Sequence, residues 1–144
     1  MKLSPPIQIL IIDDSAVGRM GISAVLPLDL DIQIAAEAED AAAALEKYRI
    51  HRPDVVLLGM PEEEGLDTLR NLLVVFPNAR VLVLAIFERV DEMRRFREAG
   101  ACGYMDKSAP RAKLIHSIKE IHSGRNRLCP PEPDANGHHM LLVE

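Results

Sequence analysis

The chain has 144 residues, 48% of them hydrophobic and 27% charged, which is the composition of one ordinary globular domain. At this length most of the unfolded apolar surface can be buried without disulfides or metals. The net charge of -5 argues against broad electrostatic binding to nucleic acid, and 3% aromatic content with no tryptophan argues against base-stacking platforms.

Ile7–Ile12 (Ile-Gln-Ile-Leu-Ile-Ile) is short, β-branched and almost wholly apolar, the pattern of a strand buried on both faces. Asp13-Asp14-Ser15 stops it, and Asp14 or Ser15 can cap a helix running to Leu26. A second, less apolar strand spans Ile32–Ala38, and Asp40 caps an alanine-rich helix from Ala41 to His51. Pro53 breaks the chain before a third strand, Asp54–Leu58. Gly59–Gly65 reads as a loop. Apolar residues at 66, 69, 72, 73 and 76 predict a helix over Leu66–Phe76. Val81–Phe87 is the most hydrophobic strand, Glu88–Ala99 a helix closed by Gly100, and Ala101–Met105 a fifth strand. Pro110 suits the first turn of a last helix ending near His122–Gly124.

Strand and helix alternate five times. That order predicts a three-layer α/β fold, a doubly wound five-stranded parallel sheet of (βα)5 type, with the weakly apolar second strand at an edge. The domain is expected over residues 7–123, after an arm at 1–6. A polar, proline-rich tail follows at 124–144, with an apolar end at Met140–Val143 and no output domain. Cys102 reads as core and Cys129 as a free thiol; together they make no zinc spacing and suit a reducing cytosol. No signal-peptide core and no membrane-length apolar run is present, so a cytoplasmic protein is expected.

In such a sheet, sites form beyond the carboxyl ends of the strands. Those ends carry Asp13-Asp14, Gly59, Ala85-Ile86-Phe87 and Asp106-Lys107. The acidic pair, the Met60-Pro61 with its neighbouring glycine, and Gly103-Tyr104 followed by Lys107 resemble the receiver domains of bacterial response regulators. The resemblance covers Ile7 to His122. The segment Glu98 to Pro110 is most similar to receivers that precede a LuxR-type helix-turn-helix domain. It implies the flavodoxin-like strand order 2-1-3-4-5, a role in two-component phosphorelay signalling and a histidine kinase as partner. It also implies an Mg²⁺ site at the acidic pair, an aspartate phosphoacceptor after strand three, a hydroxyl after strand four, a charge-neutralising lysine at Lys107 and a switch aromatic at Tyr104.

Two of these parts are replaced. Gly59 stands where the family has its acceptor, and Ala85 where it has its hydroxyl. Two residues usually separate the acceptor from Met-Pro; here Met60-Pro61 follows Gly59 directly. A glycine is neither nucleophile nor ligand, so Asp13, Asp14 and Lys107 are expected to be a remnant pocket with weak or lost Mg²⁺ binding and no catalytic residue. An Asp14–Lys107 contact is the expected static replacement. Tyr104 is expected to be a fixed, half-buried aromatic.

Plainer readings stand beside these. Asp13-Asp14 alone can be a helix cap, and Lys107 a solvated lysine. Glu62-Glu63-Glu64 is a solvated acid run or a substitute acceptor. Arg89, Arg94, Arg95 and Arg97, mixed with acids, form a solvated face or receive an acidic partner. His138-His139 lacks a third metal ligand. Three functions follow: a pseudo-receiver that acts through protein contacts or a homodimer, a receiver phosphorylated on another carboxylate, and a small-molecule sensor. None is an enzyme in its own right, and none binds nucleic acid or membrane directly.

Overall fold

The computed structural model describes residues 5–86 and 88–124. Five strands, β1 (Ile7–Asp13), β2 (Ile32–Ala38), β3 (Val55–Gly59), β4 (Val81–Ala85) and β5 (Gly103–Asp106), alternate with five helices, α1 (Ala16–Val25), α2 (Ala41–His51), α3 (Glu62–Val75), α4 (Val90–Glu98) and α5 (Arg111–Ser123). All ladders are parallel, and the order is β2-β1-β3-β4-β5, as the alternation and the resemblance predict.

The side-chain period of two divides the core. Leu10, Ile12, Val56, Leu58, Val81 and Val83 pack with Leu69, Leu72, Phe76 and Phe96 on one side of the sheet. Ile9, Ile11, Val55, Leu57, Leu82 and Leu84 pack with Leu26, Leu114, Ile118 and Ile121 on the other. Each fully buried Ile or Leu contributes about 1.5–3 kcal/mol. Because both faces are covered, the central strands read as unbroken apolar runs rather than alternations. The edge strand β2 is mostly half-buried, which is why it is the least apolar.

The boundaries depart from expectation in informative places. Gly59 is the last residue of β3, in register with Asp13, and not the start of a loop. The helix expected from Leu66 begins at Glu62 instead. Glu62, Glu63 and Glu64 fill its first turn, where carboxylates meet unpaired N–H groups and the positive end of the helix dipole. Strand four ends at Ala85, and Ile86 is already 70% exposed. A single 3-10 turn, Leu26–Leu28, follows α1 and holds Pro27. Cys102 is core, as expected. The expectations for Cys129, His138-His139, Met140–Val143 and most of the two terminal segments lie outside the described residues.

Helix α1 packs lightly on the sheet, with Ile22 half-buried against the core. It buries none of its residues. Its polar side chains face the sheet: Arg19 Nη1 donates to the Asp13 carbonyl at 2.7 Å and Arg19 Nε lies 3.4 Å from Glu37 Oε1. The Ser23 hydroxyl donates to Glu37 Oε2 at 2.7 Å. Val17 and Met20, one helical turn apart, face outward, 77% and 67% exposed, and Leu28 and Leu30 beyond the helix are exposed as well.

Candidate functional site

The strand register brings the predicted residues to one edge. Asp13 pairs with Gly59 across β1 and β3, and Ala85 with Asp106 across β4 and β5. Asp13 is fully buried. Its Oδ1 accepts the Ser15 N–H at 2.8 Å, while the Ser15 hydroxyl caps α1 by accepting the Gly18 N–H at 3.1 Å. Lys107 Nζ lies 2.7 Å from Asp13 Oδ2. The approach misses the hydrogen-bonding direction, so this is an ion pair without a directed bond.

The expected Asp14–Lys107 contact is therefore made by Asp13 instead. Asp13 still belongs to the ladder, and its side chain is fixed inside the fold; Asp14 has left the strand and is exposed. The acidic pair thus supplies one pocket carboxylate, not two.

Two glycines make room for that carboxylate. A Cβ at Gly59 would lie 2.9 Å from Asp13 Oδ2 and 3.2 Å from Lys107 Cε; a Cβ at Gly18 would lie 2.6 Å from the same oxygen. Sequence reasoning missed Gly18 and Arg19. A glycine in the first turn of a helix beside a buried acid is the signal for the first. For the second, the signal is an arginine four residues after the Ser15 cap. Ala85 is buried, and its carbonyl accepts the Lys107 N–H at 2.6 Å, so it positions Lys107 through its backbone.

Mg²⁺, which the resemblance implies, requires near-octahedral oxygen ligands. Among the described residues, no group of three or more His, Cys, Asp or Glu side chains could hold a metal ion. In this pocket the buried Asp13 carboxylate already faces an ammonium, and with Lys107 in place the donor set does not fit a divalent cation.

Beside the pocket, side chains tie β5 to α4. The Tyr104 hydroxyl donates to Glu92 Oε1 at 3.0 Å and accepts the Arg89 N–H at 3.2 Å. Burial and the Glu92 carboxylate push the Tyr104 phenol up to about 12, against a smaller opposing pull from the Arg89 N–H. The Asp106 N–H donates to Glu88 Oε2 at 2.8 Å. The Ser108 hydroxyl and N–H hold the Asp106 carboxyl below its usual range. Glu62 pairs with Arg95 and lies 3.4 Å from Arg89, so it is engaged with α4 rather than solvated. A cleft of about 80 Å³ lies under α4, lined by Met93, Arg97, Ala101, Gly103 and Tyr104; neither Gly59 nor Ala85 lines it. Among the described residues, no helix is long and apolar enough to cross a membrane.

Residues 9–119 match the family model of the response regulator receiver domain. The oxygen regulatory protein NreC of Staphylococcus epidermidis is 33% identical over 120 residues, covering 81% of this chain and 55% of that protein. The response regulator GacA of Pseudomonas viridiflava is 34% identical over 127 residues, covering 86% of this chain and 59% of that protein. The chain thus spans about half the length of the curated relatives it matches. Among solved structures, a LuxR-family two-component response regulator from Aurantimonas sp. SI85-9A1 aligns with a TM-score of 0.78 at 29% identity, over 84% of this chain and 88% of that one. The receiver domain of NarL from Mycobacterium tuberculosis gives 0.76 at 26% identity, over 85% and 100%. With the fold, the row of strand-end residues and these matches in agreement, the chain belongs to the response regulator receiver domain family of two-component signalling, with relatives among LuxR-family regulators.

Proposed function

We propose that this receiver signals without phosphoryl chemistry, as a pseudo-receiver that works through contacts with a protein partner or a second copy of itself. The observation that carries the reading is the glycine that ends β3 in register with Asp13. A carboxylate nucleophile is what the family's chemistry needs there, and Gly59 has no side chain. Two further features support it: Ala85 offers no hydroxyl, and the Lys107 ammonium is committed to Asp13. Two of the alternative acceptors are poorly placed. Asp13 is buried and paired, and Glu62 is held by two arginines. The outward apolar face of α1 supports action through protein contact, since exposed apolar patches mark interaction surfaces.

On this reading the domain has no catalytic residue and no cofactor, and it resides in the cytoplasm. A histidine kinase enters only as the family's partner. Residues 7–123 are assigned no direct contact with nucleic acid. Incubation with a small-molecule phosphoryl donor and Mg²⁺, followed by intact mass, tests the central claim. The expected result is the unmodified mass. A stoichiometric adduct of about 80 Da, one phosphoryl group, overturns it, and peptide mapping would then identify the substitute carboxylate.

A further inference from the structure

We infer that Lys107 is the resident cation of this pocket: its ammonium occupies the place of a divalent ion, and the pocket therefore excludes Mg²⁺. The inference rests on the receiver reading of the same site, but not on whether the site is phosphorylated.

Lys107 follows β5, and Asp13 ends β1, with β4 and β3 lying between them in the sheet. Those two strands end in Ala85 and Gly59, the small residues that stand in for a hydroxyl and a carboxylate. The lysine stem crosses this low ground. A Cβ at Gly59 would already lie 3.2 Å from Lys107 Cε and 3.3 Å from Nζ. A longer side chain at 59 would stand in the path. Loss of the acceptor and closure of the ion pair are thus one coupled change.

Charge and space complete it. Asp13 is fully buried, with Oδ1 satisfied by the Ser15 N–H at 2.8 Å. Its Oδ2 sits in space that a Cβ at Gly18 or Gly59 would close, and is faced by Nζ at 2.7 Å. One buried carboxylate meets one ammonium, a compact point charge. While Nζ is there, a divalent ion would add two positive charges to a balanced pair and find the place beside Oδ2 taken; with the ammonium gone, the same carboxylate is free to hold an Mg²⁺ that keeps its waters.

Thermal unfolding of the full chain and its variants tests this. In the wild type, millimolar MgCl₂ is expected to leave Tm where NaCl of equal ionic strength leaves it. Lys107→Met strands a buried carboxylate, so Tm should fall by about 5–10 °C. That variant should regain part of the loss in MgCl₂ and not in matched NaCl. The double variant Asp13→Asn/Lys107→Met has no charge left to strand and should melt above the single one, which keeps the test alive if Lys107→Met folds poorly. A specific Mg²⁺ stabilisation of the wild type overturns the inference, as does a double variant no more stable than Lys107→Met. Indifference of a folded Lys107→Met to Mg²⁺ also overturns it. A phosphoryl adduct would refute the pseudo-receiver reading without altering any of these melting results.

Discussion

Gly18 and Gly21 share helix α1, but only Gly18 meets Asp13, so helix and pocket make opposite demands there. In a helix interior, Gly→Ala ordinarily stabilises by about 1 kcal/mol. α1 offers an internal comparison. A Cβ at Gly21 meets nothing within 4 Å, so Gly21→Ala should gain roughly 0.5–1 kcal/mol. At Gly18 the same methyl would sit 2.6 Å from Asp13 Oδ2, on a carboxylate that the Ser15 N–H at Oδ1 and Lys107 at Oδ2 keep from yielding. Gly18→Ala should lose about 1–3 kcal/mol, as overpacked sites do. Urea denaturation of both variants decides the matter, and two changes of the same sign would refute the packing account. Asp13, Gly59, Ala85 and Lys107 were legible in the sequence because strand ends in a parallel sheet define an edge. Which of Asp13 and Asp14 faces Lys107 was not legible. It depends on whether β1 stops before or after Asp13, a difference of one residue that local pattern does not resolve.

Between elements, the main tie across β5 and α4 is Tyr104 to Glu92. Glu92 is only 7% exposed, so removing the phenol would leave a buried carboxylate short of a donor. Tyr104→Phe should cost about 1–3 kcal/mol at neutral pH. The pH dependence has a definite sign. The folded phenol titrates at about 12 against an ordinary 10.0, so the folded state holds its proton longer than the unfolded chain does. The stabilisation is complete below pH 10 and drains away as pH rises towards 12. Absorbance titration of the phenolate should show the late step in the wild type and lose it in Tyr104→Phe. Burial also raises Tyr48, so an unshifted step at 10.0 in the folded chain would contradict both assignments. The existence of these elements was readable from apolar spacing, but the start of α3 was not. Three glutamates look like loop by composition, and only the helix dipole and the arginines of α4 explain why they form its first turn. Charge interleaving on α4 similarly hid that Arg89 and Arg95 reach across to Glu62.

For the molecule as a whole, the strand–helix rhythm was enough to give the architecture. Each central strand is apolar on both faces, and a sheet covered on both faces by crossover helices is how alternating units bury such strands. The light packing of α1 was hidden, because a helix written Ala-Val-Gly-Arg-Met-Gly-Ile-Ser-Ala-Val offers an apolar stripe whichever side it turns inward. Its consequence lies in the order of unfolding. Helix α5 is anchored by the buried Leu114, Ile115, Ile118 and Ile121, whereas α1 has only the half-buried Ile22 on the core and otherwise leans on Arg19 and Ser23 against Glu37. Hydrophobic anchorage is indifferent to moderate salt, and charge anchorage is weakened by it. Amide hydrogen exchange should therefore find α1 opening well before α5, with the gap widening as salt is added. The helix that offers apolar surface to a partner would then be the one the fold holds most loosely, and a docked partner should slow its exchange first.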